Sequence, residues 1–158
     1  MNLAPGWIAL LAVTLQALPA SAMSDPACAK AVIELRKGPG PKFPVSWKVA
    51  RFMPFLKVDS KGQWIKVQDL EGEVHWARRQ DLTSQFSCVV VKTAVARLRK
   101  EPSASSPPAE LATLDRYTPL KKLESRAEWI EVQDQTGSKA WIHETQVWKP
   151  VKIQSFDF

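Results

Sequence analysis

The clearest local pattern in the chain is an alternation of apolar and more polar positions. Ile65 and Val67 alternate with more polar neighbours, and Ile130 and Val132 repeat the pattern. A period of two places one side of a strand in a core and the other in solvent. No stretch repeats its apolar residues every 3.6 positions over three turns. The chain is therefore predicted to be all-β.

The chain also contains a duplicated unit. The segment WIKVQDLEGEVHW, residues 64–76, returns as WIEVQDQTGSKAW, residues 129–141, with seven identities in thirteen positions. Two flanking pairs extend the match, at offsets of 63 and 65 residues: AVIELRKGPG with AVARLRKEPS, and FMPFLK with YTPLKK. The change in offset predicts a two-residue insertion between them, in a loop, where additional residues cost little. Two modules follow, residues 28–86 and 88–149, with a tail at 150–158.

Each module is predicted to hold five short strands, a proline-rich loop after the first of them, and a tight turn. Asp69 and Gly72 occupy the first and last positions of that four-residue turn, and Asp134 and Gly137 repeat them. This role explains the recurring aspartates without a pair of catalytic carboxylates. A five-stranded unit of this size must curl on itself to bury a face and protect its edges, which predicts a small barrel.

The loop of the first module carries a resemblance to a known family. The segment LRKGPGPKFPV, followed by W-x-x-V and G-x-x-x-W, resembles the bacterial SH3-like (Src-homology-3-like) domain. The resemblance implies two tandem SH3-like β-barrels that recognise peptidoglycan or a peptide. Gly38 and Gly40 are expected to take positive φ around a stiff Pro39. The second copy, LRKEPSASSPPAE, lacks both glycines and must gain its rigidity from prolines.

The N-terminus is predicted to be a signal peptide. Residues 6–18 form an uncharged apolar run that ends before the small residues Ala20–Ser21–Ala22, which predicts cleavage after Ala22. The alternative, an uncleaved membrane anchor, is less favoured because the run is short. The rest of the chain contains no second long apolar run, so no stable membrane span is expected in the mature chain. The predicted location is the periplasm or the exterior of the cell.

The two cysteines, Cys28 and Cys88, both follow the predicted cleavage site. An even cysteine count in an exported chain makes a disulfide the first expectation. The sequence leaves open whether they pair with each other or with another chain.

Charge and aromatic content narrow the class of partner. Lys and Arg outnumber Asp and Glu by 22 to 16, and most of this excess lies in the first module. A basic exported protein can meet anionic wall polymer, lipid or another protein, whereas the compartment disfavours nucleic acid. Four of the seven tryptophans, Trp64, Trp76, Trp129 and Trp141, recur between the modules, as expected for core packing. Trp47 and Trp148 have no counterpart and are candidates for exposed contacts or for packing between modules.

No pattern of catalysis is found. The sequence lacks Gly-x-Ser-x-Gly, His-Glu-x-x-His and a phosphate-binding loop, and His75 faces Ala140 in the repeat. No close pair of metal ligands occurs, so neither a metal nor a cofactor is expected.

The sequence therefore predicts a non-catalytic binding module of the bacterial cell envelope. The alternative is a periplasmic scaffold that binds a protein partner. An aromatic floor with a basic rim is typical of ligand sites. The candidate ligand-binding residues all lie in the first module: Phe43, Trp47, Arg51, Phe52 and Trp64.

Overall fold

A computed structural model of the chain describes residues 24–152. The predicted signal peptide and the end of the tail lie outside the described residues. The described part is all-β, as predicted, with two short 3-10 turns and no α-helix. Each module is a seven-stranded antiparallel sheet, and the strand order is the same in both.

The first sheet has the order β3-β2-β6-β5-β4-β1-β7 and the second the order β10-β9-β13-β12-β11-β8-β14. The strands of the first module are β1 (Asp25–Ala29), β2 (Ile33–Arg36), β3 (Val45–Val49), β4 (Pro54–Lys61), β5 (Trp64–Gln68), β6 (Val74–Arg78) and β7 (Leu82–Thr83). Those of the second are β8 (Ser87–Val91), β9 (Val95–Arg99), β10 (Pro108–Asp115), β11 (Pro119–Arg126), β12 (Trp129–Gln133), β13 (Lys139–His143) and β14 (Val147–Trp148).

The number of strands differs from the prediction of five per module. Part of the expected proline-rich loop is the strand β3, which pairs with β2. The two-residue strand β7 pairs with β1 at the other end of the sheet. Both strands are short or rich in exposed positions, so their hydrophobic pattern does not distinguish them from loops.

The alternation seen in the sequence sets the two cores. Ile65 and Val67 of β5 are buried in the first core, and Ile130 and Val132 of β12 are buried in the second. Their neighbours along each strand are half-exposed. The four recurring tryptophans lie outside these two core clusters, with Trp141 buried and the other three half-exposed.

The predicted turn is confirmed in both modules. The amide N–H of Gly72 donates to the carbonyl of Asp69 at 3.1 Å, and Gly72 has φ +84°. Asp69 Oδ1 accepts two further amides, from Glu71 and Glu73, at 2.9 Å each. Gly137 and Asp134 repeat the arrangement, with φ +95° at the glycine. The aspartates therefore hold the turn.

The expected positive φ at Gly38 and Gly40 is wrong, because neither residue lies in that region of backbone conformation. Gly38 instead makes room for an aromatic ring: a Cβ there would lie 2.3 Å from the ring of Phe43. In the second module Ser106 stands where Phe43 does and Glu101 stands where Gly38 does. The smaller residue removes the ring, so the glycine is no longer required.

The second loop nevertheless keeps the fold of the first. Lys37 N donates to the Pro44 carbonyl at 3.0 Å, and the equivalent bond from Lys100 to Pro107 measures 3.1 Å. The buried hydroxyl of Ser106 also accepts the amide of Glu101 at 2.9 Å. A hydrogen bond to the serine hydroxyl thus supports the loop that lacks glycines.

The two-residue insertion lies in a strand rather than in a loop. Arg36 pairs with Val45 and Arg99 with Pro108, so the offset between modules is still 63 at that point. Further along, Glu34 pairs with Lys48 in the first module, and the equivalent Arg97 pairs with Thr113 in the second. The offset between Lys48 and Thr113 is 65. The extra residues therefore fall within 109–112, where the register of β10 shifts in a bulge.

The modules are joined by covalent and apolar contacts. Cys28 on β1 and Cys88 on β8 form a disulfide, and residues 84–86 alone separate β7 from β8. Val90 of β8 is fully buried in the core of the first module, and Trp148 of β14 packs against that same core. Strand β8 therefore contributes to both cores.

Candidate ligand-binding groove

Three of the predicted site residues lie at the junction between the modules. Phe52 is 4% exposed and its ring packs edge-on against Phe86 at 5.6 Å. Arg51 lies over the Phe52 ring, and its carbonyl accepts a hydrogen bond from Gln135 of the second module. The ring of Trp47 meets that of Tyr117 edge-on at 6.0 Å. These three residues connect the modules in this structure.

The other two predicted residues lie around the loop of residues 38–41. Phe43 is exposed and its ring packs against Gly38 and Gly40. Trp64 lies beside Pro41 in a depression of about 310 Å³, and the guanidinium of Arg78 is 5.8 Å from its ring. The five residues thus form two separate groups, and their role in binding stays a prediction.

Trp47 and His75 fill one face of the first module. Trp47 pairs with Leu35 in β2, and His75 pairs with Val67 in β5. Their rings are 5.9 Å apart. The hydroxyl of Ser46 lies 2.8 Å from Nδ1 of His75 and orients the ring. The carboxylate of Asp69 lies 3.5 Å from Nε2, which has no hydrogen-bond partner among residues 24–152. Two large side chains therefore occupy the positions beside Leu35 and Val67 on this face.

The second module covers this face as well. Tyr117 lies against Trp47, and its hydroxyl donates to Glu71 at 3.1 Å. Arg116 forms an ion pair with the same carboxylate. Hydrogen bonds from Arg116 and Tyr117 lower the pKa of Glu71, and the bond to Glu71 raises the pKa of Arg116. Residues 116–117 therefore close the face of the first module with an aromatic ring and an ion pair.

The equivalent face of the second module is open. Leu98 and Val132 correspond to Leu35 and Val67. Val132 pairs with Ala140, however, where Val67 pairs with His75. No tryptophan corresponds to Trp47, since the bulge of β10 occupies that part of the strand. A groove of about 520 Å³ results, and its apolar lining includes Leu98, Leu111, Leu120, Val132 and Ala140.

The rim of the groove is polar. Glu110 and Asp134 supply carboxylates, and Lys139 supplies one ammonium group. Burial raises the pKa of Asp134, but hydrogen bonds from the hydroxyl and amide of Thr136 and from the amide of Ser138 outweigh it, so the pKa is below its ordinary value. Asp134 therefore carries a negative charge at neutral pH.

The groove lies beside the edge of a sheet. β10 is the terminal strand in the order of the second sheet, so its outer side has no neighbouring strand among residues 24–152. The exposed Leu111 comes from this strand. An apolar groove next to an unpaired strand edge suits an extended peptide, whose main chain can pair with the strand.

The described residues contain no group of His, Cys, Asp and Glu that could hold a metal ion. Within residues 24–152 no helix has the length and apolar character that a membrane crossing needs.

The sequence analysis missed this groove because its residues are small or ordinary aliphatic ones. Two signals pointed to it. His75 facing Ala140 marks a large side chain lost from one copy, and the change of offset marks the insertion that forms the β10 bulge.

Comparison with protein families gives two matches on this chain. The family described as Bacterial SH3 domain matches residues 29–83 and again residues 92–149. Together the two stretches make up most of the chain. The first contains the first sheet except most of β1, and the second contains the second sheet except β8.

Individual relatives match more narrowly. A 39-residue stretch is 46% identical to the probable cell wall amidase LytH of two Staphylococcus epidermidis strains, which is 25% of this chain and 13% of each amidase. The solved structures of NlpC1 and NlpC2 from Trichomonas vaginalis align over 87% and 82% of this chain, with TM-scores of 0.36 and 0.35 and identities of 11% and 10%. The chain spans about half the length of those two proteins (50% and 49%).

Proposed function

The chain belongs to the bacterial SH3 domain family, and from this premise we propose that it is a non-catalytic binding protein of the bacterial cell envelope. Its ligand is an extended peptide, with the peptide stems of peptidoglycan as the first candidate. The binding site is the groove of the second module.

The open groove beside the edge of β10 is the observation that carries this proposal. It combines an apolar floor of Leu98, Leu120 and Val132 with the carboxylates of Glu110 and Asp134 at the rim. A ligand with small apolar side chains and a free amino group complements both features, and peptidoglycan stems have this composition. The stretch shared with a probable cell wall amidase supports a wall ligand.

The Cys28–Cys88 disulfide supports a location outside the cytoplasm, because disulfides persist in oxidising compartments. Export through the predicted signal peptide agrees with this location. In the alternative proposal, a periplasmic protein pairs one of its strands with β10, and the protein acts as a scaffold.

Co-sedimentation of residues 23–158 with purified peptidoglycan sacculi tests the proposal. The informative variant is Leu111→Lys, which places a charge in the groove at a side chain that is 45% exposed, so the fold should lose little stability. Val95→Lys is the matched control, since Val95 is 52% exposed on β9 and does not line the groove.

We expect the wild type and Val95→Lys to be retained at 0.15 M salt, where exposed charges beyond about 8 Å are screened. The Leu111→Lys variant should not be retained on the sacculi. Equal retention of the two variants would remove the groove from the mechanism. If no form is retained, peptidoglycan is not the ligand, and cross-linking with a periplasmic protein that is sensitive to Leu111→Lys would support the scaffold.

A further inference from the structure

A second concave site lies between the modules, on the side of the disulfide. It has a volume of about 570 Å³, and both modules line it. Phe86 and the disulfide cysteines contribute to its wall. The disulfide fixes the two modules at this point, so the shape of the cleft is set before any ligand arrives.

The duplication brings two equivalent lysines into this one cleft. Lys57 on β4 and Lys122 on β11 occupy the same position in the two repeats, at an offset of 65, and both line the cleft. Each is half-buried, which restricts its side chain more than that of a fully exposed lysine. Lys149 adds a third ammonium group.

The acidic groups nearby form their ion pairs with other lysines. Among residues 24–152, Asp25 is the one carboxylate that lines the cleft. It lies directly across from Lys57 in the pairing of β1 with β4, but its carboxylate forms its ion pair with Lys152, at 3.4 Å. Glu144 binds Lys149 at 3.1 Å. Lys57 and Lys122 form no ion pair with any residue that the structure describes, so their charge is available to a ligand.

Neutral donors complete the site. Ser87 lies directly across from Lys122 in the pairing of β8 with β11, and it lines the same cleft. Its hydroxyl can donate to an oxygen that the ammonium groups attract. Charged donors bind oxyanions more strongly than neutral donors do, and a concave, partly apolar wall strengthens the attraction.

We infer that the cleft between the modules is a binding site for an oxyanion, a phosphate or a carboxylate group, held by Lys57 and Lys122. This site is separate from the peptide groove, since the two share no lining residue. A chain that binds wall peptide in the groove could therefore hold an anionic group of the same or another molecule in the cleft.

Titration of the ¹⁵N-labelled protein, residues 23–158, tests this inference by nuclear magnetic resonance. The probes are pyrophosphate and, separately, citrate, each at constant ionic strength. We expect saturable shifts of the Phe86 and Ser87 amide signals. Shifts with pyrophosphate alone identify a phosphate site, and shifts with citrate alone identify a carboxylate site.

The double variant Lys57→Gln/Lys122→Gln should raise the apparent Kd at least tenfold, whereas Lys57→Arg/Lys122→Arg should stay within about threefold. The matched control is Lys42→Gln/Lys48→Gln, which removes the same charge from exposed positions elsewhere in the first module. Shifts that do not saturate, or equal weakening in both glutamine variants, would show a diffuse basic surface and overturn the inference. The groove variant Leu111→Lys should bind both probes as the wild type does, so the two sites can fail independently.

Discussion

The disulfide should stabilise the first module far more than the second. Cys28 and Cys88 are 60 residues apart, and the loop that they close contains nearly the whole first module and almost none of the second. Closing a loop of this length reduces the entropy of the unfolded chain by an amount worth about 4 kcal/mol in the chain-entropy model. Removal of the bridge should therefore lower the unfolding free energy of the first module by that amount.

The double variant Cys28→Ala/Cys88→Ala is the appropriate change, because both side chains are buried and alanine adds no unpaired hydroxyl. Native-state hydrogen exchange measures the opening free energy of each module separately. The amide of Ile65 on β5 reports on the first module and that of Ile130 on β12 on the second, at equivalent positions of the repeat. We expect exchange at Ile65 to accelerate about a thousandfold, since each 1.4 kcal/mol is a factor of ten.

Exchange at Ile130 should accelerate less than tenfold. Equal acceleration at both amides would show that the modules open as one unit and would refute the assignment of the effect to one module. Unchanged exchange at both would show that Val90 and Trp148 already restrict the opened chain, and the entropy argument would fail.

Three further changes test other contacts. Gly38→Ala should lower the unfolding free energy, measured by denaturant titration, by about 1 kcal/mol, because the new Cβ would lie 2.3 Å from the Phe43 ring. Gly40→Ala, whose Cβ would lie 3.4 Å from that ring, should lower it by less than half as much. Equal losses in the two variants would contradict the role given to the ring. The lowered pKa of Glu71 means that its ion pair with Arg116 stabilises the folded chain above the ordinary carboxyl pKa of 4.5 and is lost as the pH falls through the lower folded value. The difference in thermal midpoint between wild type and Glu71→Gln at low salt should therefore be constant from pH 7 to 5 and shrink below pH 4.5, and a difference independent of pH would remove the ion pair as its source. Trp47→Ala should lower the unfolding free energy by about 2 kcal/mol, since the ring is half-buried against the first core. An unchanged denaturation midpoint would contradict that packing.

Much of the fold follows from local sequence patterns. The alternation around Ile65 and Val67 predicts a half-buried strand, and Asp69 with Gly72 predicts the turn after it, because both depend on residues close in the chain. The bacterial SH3 family was recognised from the first loop, and the family comparison confirms it.

The contact between modules depends on residues far apart, and the sequence indicates only part of it. Trp47 and Trp148, which lack counterparts, are candidates for packing between modules, and each contacts the other module in the structure. The burial of Phe52 against Phe86 at the junction has no local signal, and the role of Phe52 in ligand binding stays a prediction. A further local signal is the run Val89–Val90–Val91, in which all three residues are buried. A strand with a single buried face alternates between apolar and polar residues, so an unbroken apolar run indicates that both faces are buried. Here the two faces lie in two different cores.

The short connection between β7 and β8 has a consequence for any ligand that reaches both modules. In proteins whose domains are joined by flexible linkers, linker length sets the effective concentration of the second site. Here residues 84–86, the disulfide and the shared core of Val90 leave no such linker. The separation between the two proposed sites is therefore fixed, so a polymer that bound both would gain from the second only where its own groups recur at that distance.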